Sequence, residues 1–166
     1  PPKLFDLLAK EIRSYGGKIL TNHQVISIKK TNDVVNTIVV VGNGIKSNIE
    51  CDGIINAAGP WSSKVAKLIN HNVELQLTRG CGIFFSGKLV NKAINRCRIP
   101  NNNDIMCPSE KESLWGTLSN VVYDPESLKT TPDEIQELLS GAEELFPNIR
   151  NYKSFRTWSG IRPLVK

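Results

Sequence analysis

The chain has 166 residues, enough for a domain of ordinary size with its own hydrophobic core. Hydrophobic residues at 40% and charged residues at 22% are globular values that exclude a disordered chain. The net charge of +5 suits an anionic partner, but the basic residues come singly or in pairs, without zinc-finger spacing or an aromatic RNA-binding signature, which favours a small anionic molecule over nucleic acid.

Leu4, Leu8, Ile12 and Tyr15 recur every three to four residues before Gly16-Gly17, which predicts a helix of three turns with one buried face. Lys18 to Leu20 and Gln24 to Ile28 read as short strands. Val34 to Val41 and Ile45 to Cys51 flank Gly42-Asn43-Gly44, the chemistry of a tight hairpin. Asp52 to Ile55 predicts a further short strand that runs into Asn56-Ala57-Ala58-Gly59-Pro60. Pro60 then opens a helix whose stripe is Trp61, Val65, Leu68 and Ile69.

From Val73 to Phe85 the pattern is again that of a strand, broken at Arg79-Gly80-Cys81-Gly82. Residues 87 to 104, rich in Asn, Lys and Arg, predict a surface loop or short strands. Asp104 to Cys107 and Ser113 to Ser119 predict two strands about a charged turn. Thr131-Pro132-Asp133-Glu134 is the clearest helix start. Thr131 caps, Pro132 occupies the first turn and Glu134 closes a capping box, with Ile135, Leu138, Leu139, Ala142 and Leu145 as the buried stripe. Ser154 to Trp158 predicts a last strand leading into Ser159-Gly160-Ile161-Arg162-Pro163. The fold class expected is α+β (mixed α/β), three helices on a largely antiparallel mixed sheet.

Cysteines at 51, 81, 97 and 107 form no C-x-x-C pair, and Cys51 and Cys81 lie in apolar runs. Reduced thiols of a cytosolic, metal-free protein are expected. No apolar run of about 18 residues and no signal-peptide pattern occurs, so no passage through a membrane is expected. The chain opens directly on a helix and closes in a strand pattern, as an internal piece of a longer protein does.

Two places carry candidate chemistry. At Asn56-Ala57-Ala58-Gly59-Pro60, small side chains let a ligand approach the backbone and a helix N-terminus favours an anion; the same residues also serve as a plain strand-to-helix connection. Arg162 offers a planar fork suited to phosphate or carboxylate, with its backbone fixed by Gly160 and Pro163; a surface arginine at a strand end fits the same pattern. Arg79-Gly80 follows the same logic. Trp61, Trp115 and Trp158 are expected in the core. There is no phosphate-binding glycine loop and no Ser-His-Asp or Cys-His constellation, and the general base is unassigned.

Ile54 to Trp61 resembles the second flavin-contacting segment of glutathione-reductase-like flavoproteins of the D-amino-acid oxidase type. Ile94-Asn95-Arg96-Cys97-Arg98, Asp104-Ile105, Pro108, Ser113-Leu114 and Gly116-Thr117 resemble the FAD-dependent, anaerobic-type glycerol-3-phosphate dehydrogenases. Ser159 to Val165 is similar to that family's substrate-side arginine segment, and the blocks keep family order over the whole chain.

This resemblance implies an enzyme that oxidises sn-glycerol 3-phosphate to dihydroxyacetone phosphate, with FAD as cofactor. Electrons would pass through partner subunits to a membrane quinone, with the protein peripheral to the cytoplasmic face. It implies substrate binding by Arg162 and Arg79. It also implies cofactor contacts by Val25, Ala57, Ala58, Gly59 and Gly80. Residues 1–72 would be part of a Rossmann-like FAD domain and 73–166 part of the substrate domain, packed as a single compact unit.

The G-x-G-x-x-G loop and the acidic ribose-binding residue of the family are absent from these residues, so weak or no FAD retention is expected of them alone. Leu118 stands where the family has a second threonine, either altering a polar contact near the substrate or only repacking. Two rival readings are a related amino-acid or 2-hydroxy-acid oxidase, with Arg162 on a carboxylate, and a non-catalytic domain for contact with other subunits.

Overall fold

A computed structural model describes residues 2–99, 102–152 and 154–165. The chain divides into two compact units. Pro1–Ala57 goes with Lys64–Asn72, and Ala58–Ser63 goes with Val73–Lys166.

The first unit opens with α1 (Pro2–Ser14). Gly16, at φ +80°, ends it, and the Gly17 N–H donates to the Ile12 carbonyl at 2.9 Å. The predicted stripe is present but not buried: Leu4, Leu8 and Ile12 keep 53%, 45% and 47% of their surface exposed. Periodicity shows which face of a helix is apolar, not what covers it.

Three strands follow, β1 (His23–Thr31), β2 (Val34–Gly42) and β3 (Ile45–Glu50), paired antiparallel in that order. Both hairpin turns are built from two residues of positive φ, Asn32-Asp33 at 51° and 61° and Asn43-Gly44 at 51° and 78°. This is the turn whose twist matches paired strands. The strands expected at Lys18 to Leu20 and Asp52 to Ile55 are irregular backbone. Without a ladder partner an apolar run stays irregular. Lys64–Asn72 completes the unit with the second half of α2 (Ser62–Lys67), whose Ala66 is buried.

The second unit is a five-stranded sheet in the order β5-β6-β7-β4-β8, with every neighbour antiparallel. Its strands are β4 (Leu75–Ser86), β5 (Ile94–Asn95), β6 (Ile105–Pro108), β7 (Glu112–Val122) and β8 (Ser154–Val165). The break predicted at Arg79-Gly80-Cys81-Gly82 does not occur. β4 runs through it as the central pair-maker, hydrogen-bonded to β7 on one side and β8 on the other. A glycine costs a strand entropy and side-chain packing, and two flanking ladders outweigh that.

Helix α3 (Pro132–Glu143) covers one face of the sheet. It starts with the predicted capping box, the Thr131 hydroxyl accepting from the Glu134 N–H and the Glu134 carboxylate from the Thr131 N–H. Cys81, Ile83, Phe85, Trp115 and Leu118 from the sheet meet Leu138 and Ala142 of the helix and Ile149, all at 0% exposure. Leu118 is thus a packing residue of the core, which settles the alternative left open by the sequence. Of the three tryptophans, only Trp115 is fully buried; Trp61 remains 38% exposed and its indole N–H donates to Glu126.

Candidate functional site

Side chains alternate across a strand, and β4 separates two kinds of residue by this rule. Arg79, Cys81, Ile83 and Phe85 point to the α3 side, and Thr78, Gly80 and Gly82 to the other. On β8, Arg162 pairs with Thr78, Gly160 with Gly80 and Trp158 with Gly82, so Trp158, Gly160 and Arg162 share the face of the two β4 glycines. β7 contributes Ser119, paired with Gly80. It also contributes Thr117, the extra residue at the register shift where Cys81 opposes Leu118 but Gly82 opposes Gly116. Such a bulge re-aims the side chain it carries.

On this face lies the guanidinium of Arg162, flat across the backbone of Gly80. A Cβ built on Gly80 would stand 2.6–2.9 Å from its Nη2, Cζ and Nη1. Its Nη1 faces the Ser119 hydroxyl and its Nη2 the Thr117 hydroxyl, each at 3.4 Å. The Trp158 indole lies likewise over Gly82, where a Cβ would meet Nε1 at 2.7 Å. Between the two, Gly160 leaves the floor of the face low.

The pairing of its guanidinium sets Arg162 apart. Every other arginine of the second unit is paired with a carboxylate: Arg79 with Glu134 at 2.5 Å, Arg96 with Glu144 at 2.6 Å, Arg98 with Asp104 at 2.6 Å, Arg150 with Glu143 at 2.5 Å and Arg156 with Glu112 at 3.1 Å. Among the described residues no carboxylate pairs with Arg162. Its charge is not compensated by a carboxylate and it has unused donors on an exposed face, which is the chemistry of an anion receptor.

Arg79 does not join it. Its side chain lies on the core face, donating to Glu134 and to the Ser127 carbonyl at 3.1 Å. Burial pushes the Glu134 carboxyl up. The Thr131 N–H, the Arg79 and Asn120 side chains and the Arg79 charge outweigh that and hold it below the usual carboxylate range. Beneath them, burial, reinforced by the Glu134 charge, pushes the Cys81 thiol up to about 11, so it stays protonated and unreactive. All four cysteines are free, with Cys51 half-buried rather than buried and Cys97 exposed.

The expected cofactor-side residues lie in both units. Val25 is half-buried on β1 opposite Val40, just before a register shift, and Ala57 is exposed. Ala58 and Gly59 enter the 3-10 turn Gly59–Trp61. Gly59 has φ +53°, and nothing lies within 4 Å of where its Cβ would stand. The helix behind is short, a three-residue turn and the six-residue α2, so the dipole argument carries less than open backbone does. That small-residue backbone fits close approach by a flat cofactor.

A cavity of about 200 Å3 elsewhere on the second unit is lined by Asn95, Arg96, Arg98, Asp104, Gly116 and Thr117. Its two arginines are already neutralised by Asp104 and Glu144. Among the described residues no cluster of His, Cys, Asp or Glu forms a metal site, and no helix is long and apolar enough to cross a membrane.

The chain belongs to the FAD dependent oxidoreductase family (DAO), whose model matches residues 1–166. Its cofactor is therefore FAD. A subunit of the anaerobic glycerol-3-phosphate dehydrogenase of Escherichia coli K12 is 28% identical over 159 residues, 93% of this chain and 29% of that protein. The chain thus spans less than a third of that relative's length.

Among solved structures, the glycerol-3-phosphate dehydrogenase from Bacillus halodurans complexed with FAD superposes with a TM-score of 0.82 at 22% identity, over 95% of this chain and 34% of that one. Glycine oxidase from Bacillus cereus does so with 0.80 at 18%, over 99% and 43%. These likenesses establish the fold, and leave the substrate to chemistry.

Proposed function

We propose that this chain carries the substrate-side sheet and part of the cofactor side of a dehydrogenase that oxidises sn-glycerol 3-phosphate to dihydroxyacetone phosphate. Electrons would go on to a quinone through partner subunits at the membrane. The observation that carries the reading is Arg162, whose guanidinium meets no carboxylate among the described residues, is displayed on an open face and is flanked by two hydroxyls. A phosphate monoester offers close to two negative charges and several acceptor oxygens, which suits a fork with hydroxyl neighbours better than a single carboxylate does. The similarity to glycerol-3-phosphate dehydrogenases supports the same substrate class.

In this reading Arg162 binds and orients the substrate phosphate. Trp158 and Gly160 shape the floor beside it. Ala57, Ala58 and Gly59, with the Val25 backbone, border FAD, whereas Gly80, expected among them, lies under the Arg162 guanidinium. When bound, FAD supplies the acceptor for the hydride that leaves C2 of the substrate. Arg79 is assigned to the core, so the anion site narrows to Arg162.

The test is Arg162→Ala in the full-length protein, assayed with glycerol 3-phosphate, glycerol, glycine and 2-hydroxyglutarate. Hydrogen bonds to charged groups contribute about 1.5–3 kcal/mol each, so kcat/KM for glycerol 3-phosphate should fall about tenfold to a hundredfold. Lys should rescue only in part. The loss should be small for glycerol, which has no phosphate. Equal loss on both would withdraw the phosphate assignment. Turnover of glycine or 2-hydroxyglutarate in place of glycerol 3-phosphate would move Arg162 to a carboxylate.

A further inference from the structure

We infer that Gly80 is a positioning residue for the anion site: it is the seat on which the Arg162 guanidinium lies, and it acts on the substrate through that side chain. The inference rests on the reading of Arg162 as the anion receptor. An arginine on an exposed strand is normally free to sweep through its rotamers, and that mobility is lost again on binding. Here three constraints restrict it. The guanidinium stacks on the backbone of Gly80, so close that a Cβ there would fall 2.6, 2.8 and 2.9 Å from Nη2, Cζ and Nη1. The Ser119 and Thr117 hydroxyls stand at its two ends. Pro163, next along β8, fixes the backbone that aims it.

No side chain but hydrogen fits under the fork. Gly80 needs no unusual backbone conformation, since its φ lies outside the positive range. The absence of a side chain at this position is therefore explained by the approach of Arg162 and not by a turn. A methyl group at position 80 would lift or tilt the fork out of the plane in which both terminal nitrogens meet one anion. The charge would remain, but its placement would not.

The experiment is a double-mutant cycle in the full-length protein, read as KM and kcat for whichever anionic substrate, glycerol 3-phosphate or glycine, it turns over, with flavin content measured alongside. Gly80→Ala should raise KM at least about tenfold in the wild-type background, with flavin content kept. In the Arg162→Ala background it should change KM less than twofold, because the group it positions is gone. If Gly80→Ala loses flavin or fails to fold, Thr117→Val with Ser119→Ala is read through the same cycle. A loss of the same factor in both backgrounds, or of less than twofold in the wild type, overturns the seat. If Arg162→Ala alone leaves kcat/KM unchanged on every anionic substrate, it is the anion reading that falls.

Discussion

Replacing Arg79 by Met should cost stability and spare substrate affinity. The pair it forms with Glu134 is nearly closed to water, with 12% and 7% of the two side chains exposed. Met keeps most of the aliphatic volume but leaves the carboxylate buried, still accepting from the Thr131 N–H at 2.7 Å and Asn120 at 2.8 Å. Removing one partner of a buried pair costs about 3–5 kcal/mol. The two remaining donors place this site near the lower end, about 3 kcal/mol. For a domain of this size that is a fall in Tm of roughly 6–12 °C.

The pH dependence carries the sign. In the folded wild type Glu134 sits below its usual range. Its contribution is therefore complete above the unfolded value of about 4.3 and is lost as pH falls through the folded value. In Arg79→Met, burial has less to oppose it, so the carboxyl rises and protonation relieves the variant. The gap in unfolding free energy, measured by urea denaturation between pH 7 and pH 4, should shrink on acidification. An unchanged Tm with a raised KM for glycerol 3-phosphate would put Arg79 in the anion site and refute its assignment to the core.

Two further outcomes follow from the same packing. Thiol labelling of the folded protein should modify Cys97 quickly and Cys81 only after unfolding, since Cys81 is at 0% exposure with its thiol pushed up to about 11; early labelling of Cys81 would mean the sheet–helix core opens. Thr131→Ala removes the hydroxyl that accepts the Glu134 N–H and should lower stability by about 1 kcal/mol, seen as a shifted urea midpoint at unchanged slope; no shift would mean the cap contributes nothing in this fold.

Much of this is legible in the sequence. The capping box at Thr131 and the Asn43-Gly44 turn depend only on neighbours in the chain, and both stand where local chemistry puts them. Arg162 is marked by the Gly160 and Pro163 that bracket it. Reading Arg79 to Gly82 as an interruption misplaces Arg79. Taken as one strand, β4 puts Arg79 and Gly80 on opposite faces by alternation alone. Thr117 and Ser119 cannot be found that way, because their place beside Arg162 depends on the register of β7 against β4 and on a shift at Cys81/Gly82. Trp158 has the parity of Arg162 and is within reach. What the stripe of α1 packs against is not, since amphipathy names a face and never its partner.

The glycines of the open face connect these findings. Gly80, Gly82 and Gly160 sit inside paired strands with φ outside the positive range, where each costs about 0.5–1 kcal/mol against alanine. Gly80 is held by the Arg162 guanidinium crossing it, Gly82 by the Trp115 carbonyl and the Trp158 indole, each 2.7 Å from where a Cβ would stand, and Gly160 keeps open the gap between Arg162 and Trp158. Along β4, then, the residues facing α3 carry the stability of the sheet through Arg79–Glu134 and the packing of Cys81, Ile83 and Phe85. The alternate residues give up packing so that a cation and an indole can lie close to the backbone. Substitutions one residue apart should consequently fail differently, Arg79 variants in the melt and Gly80 variants in KM, because the strand turns each successive side chain to the opposite face.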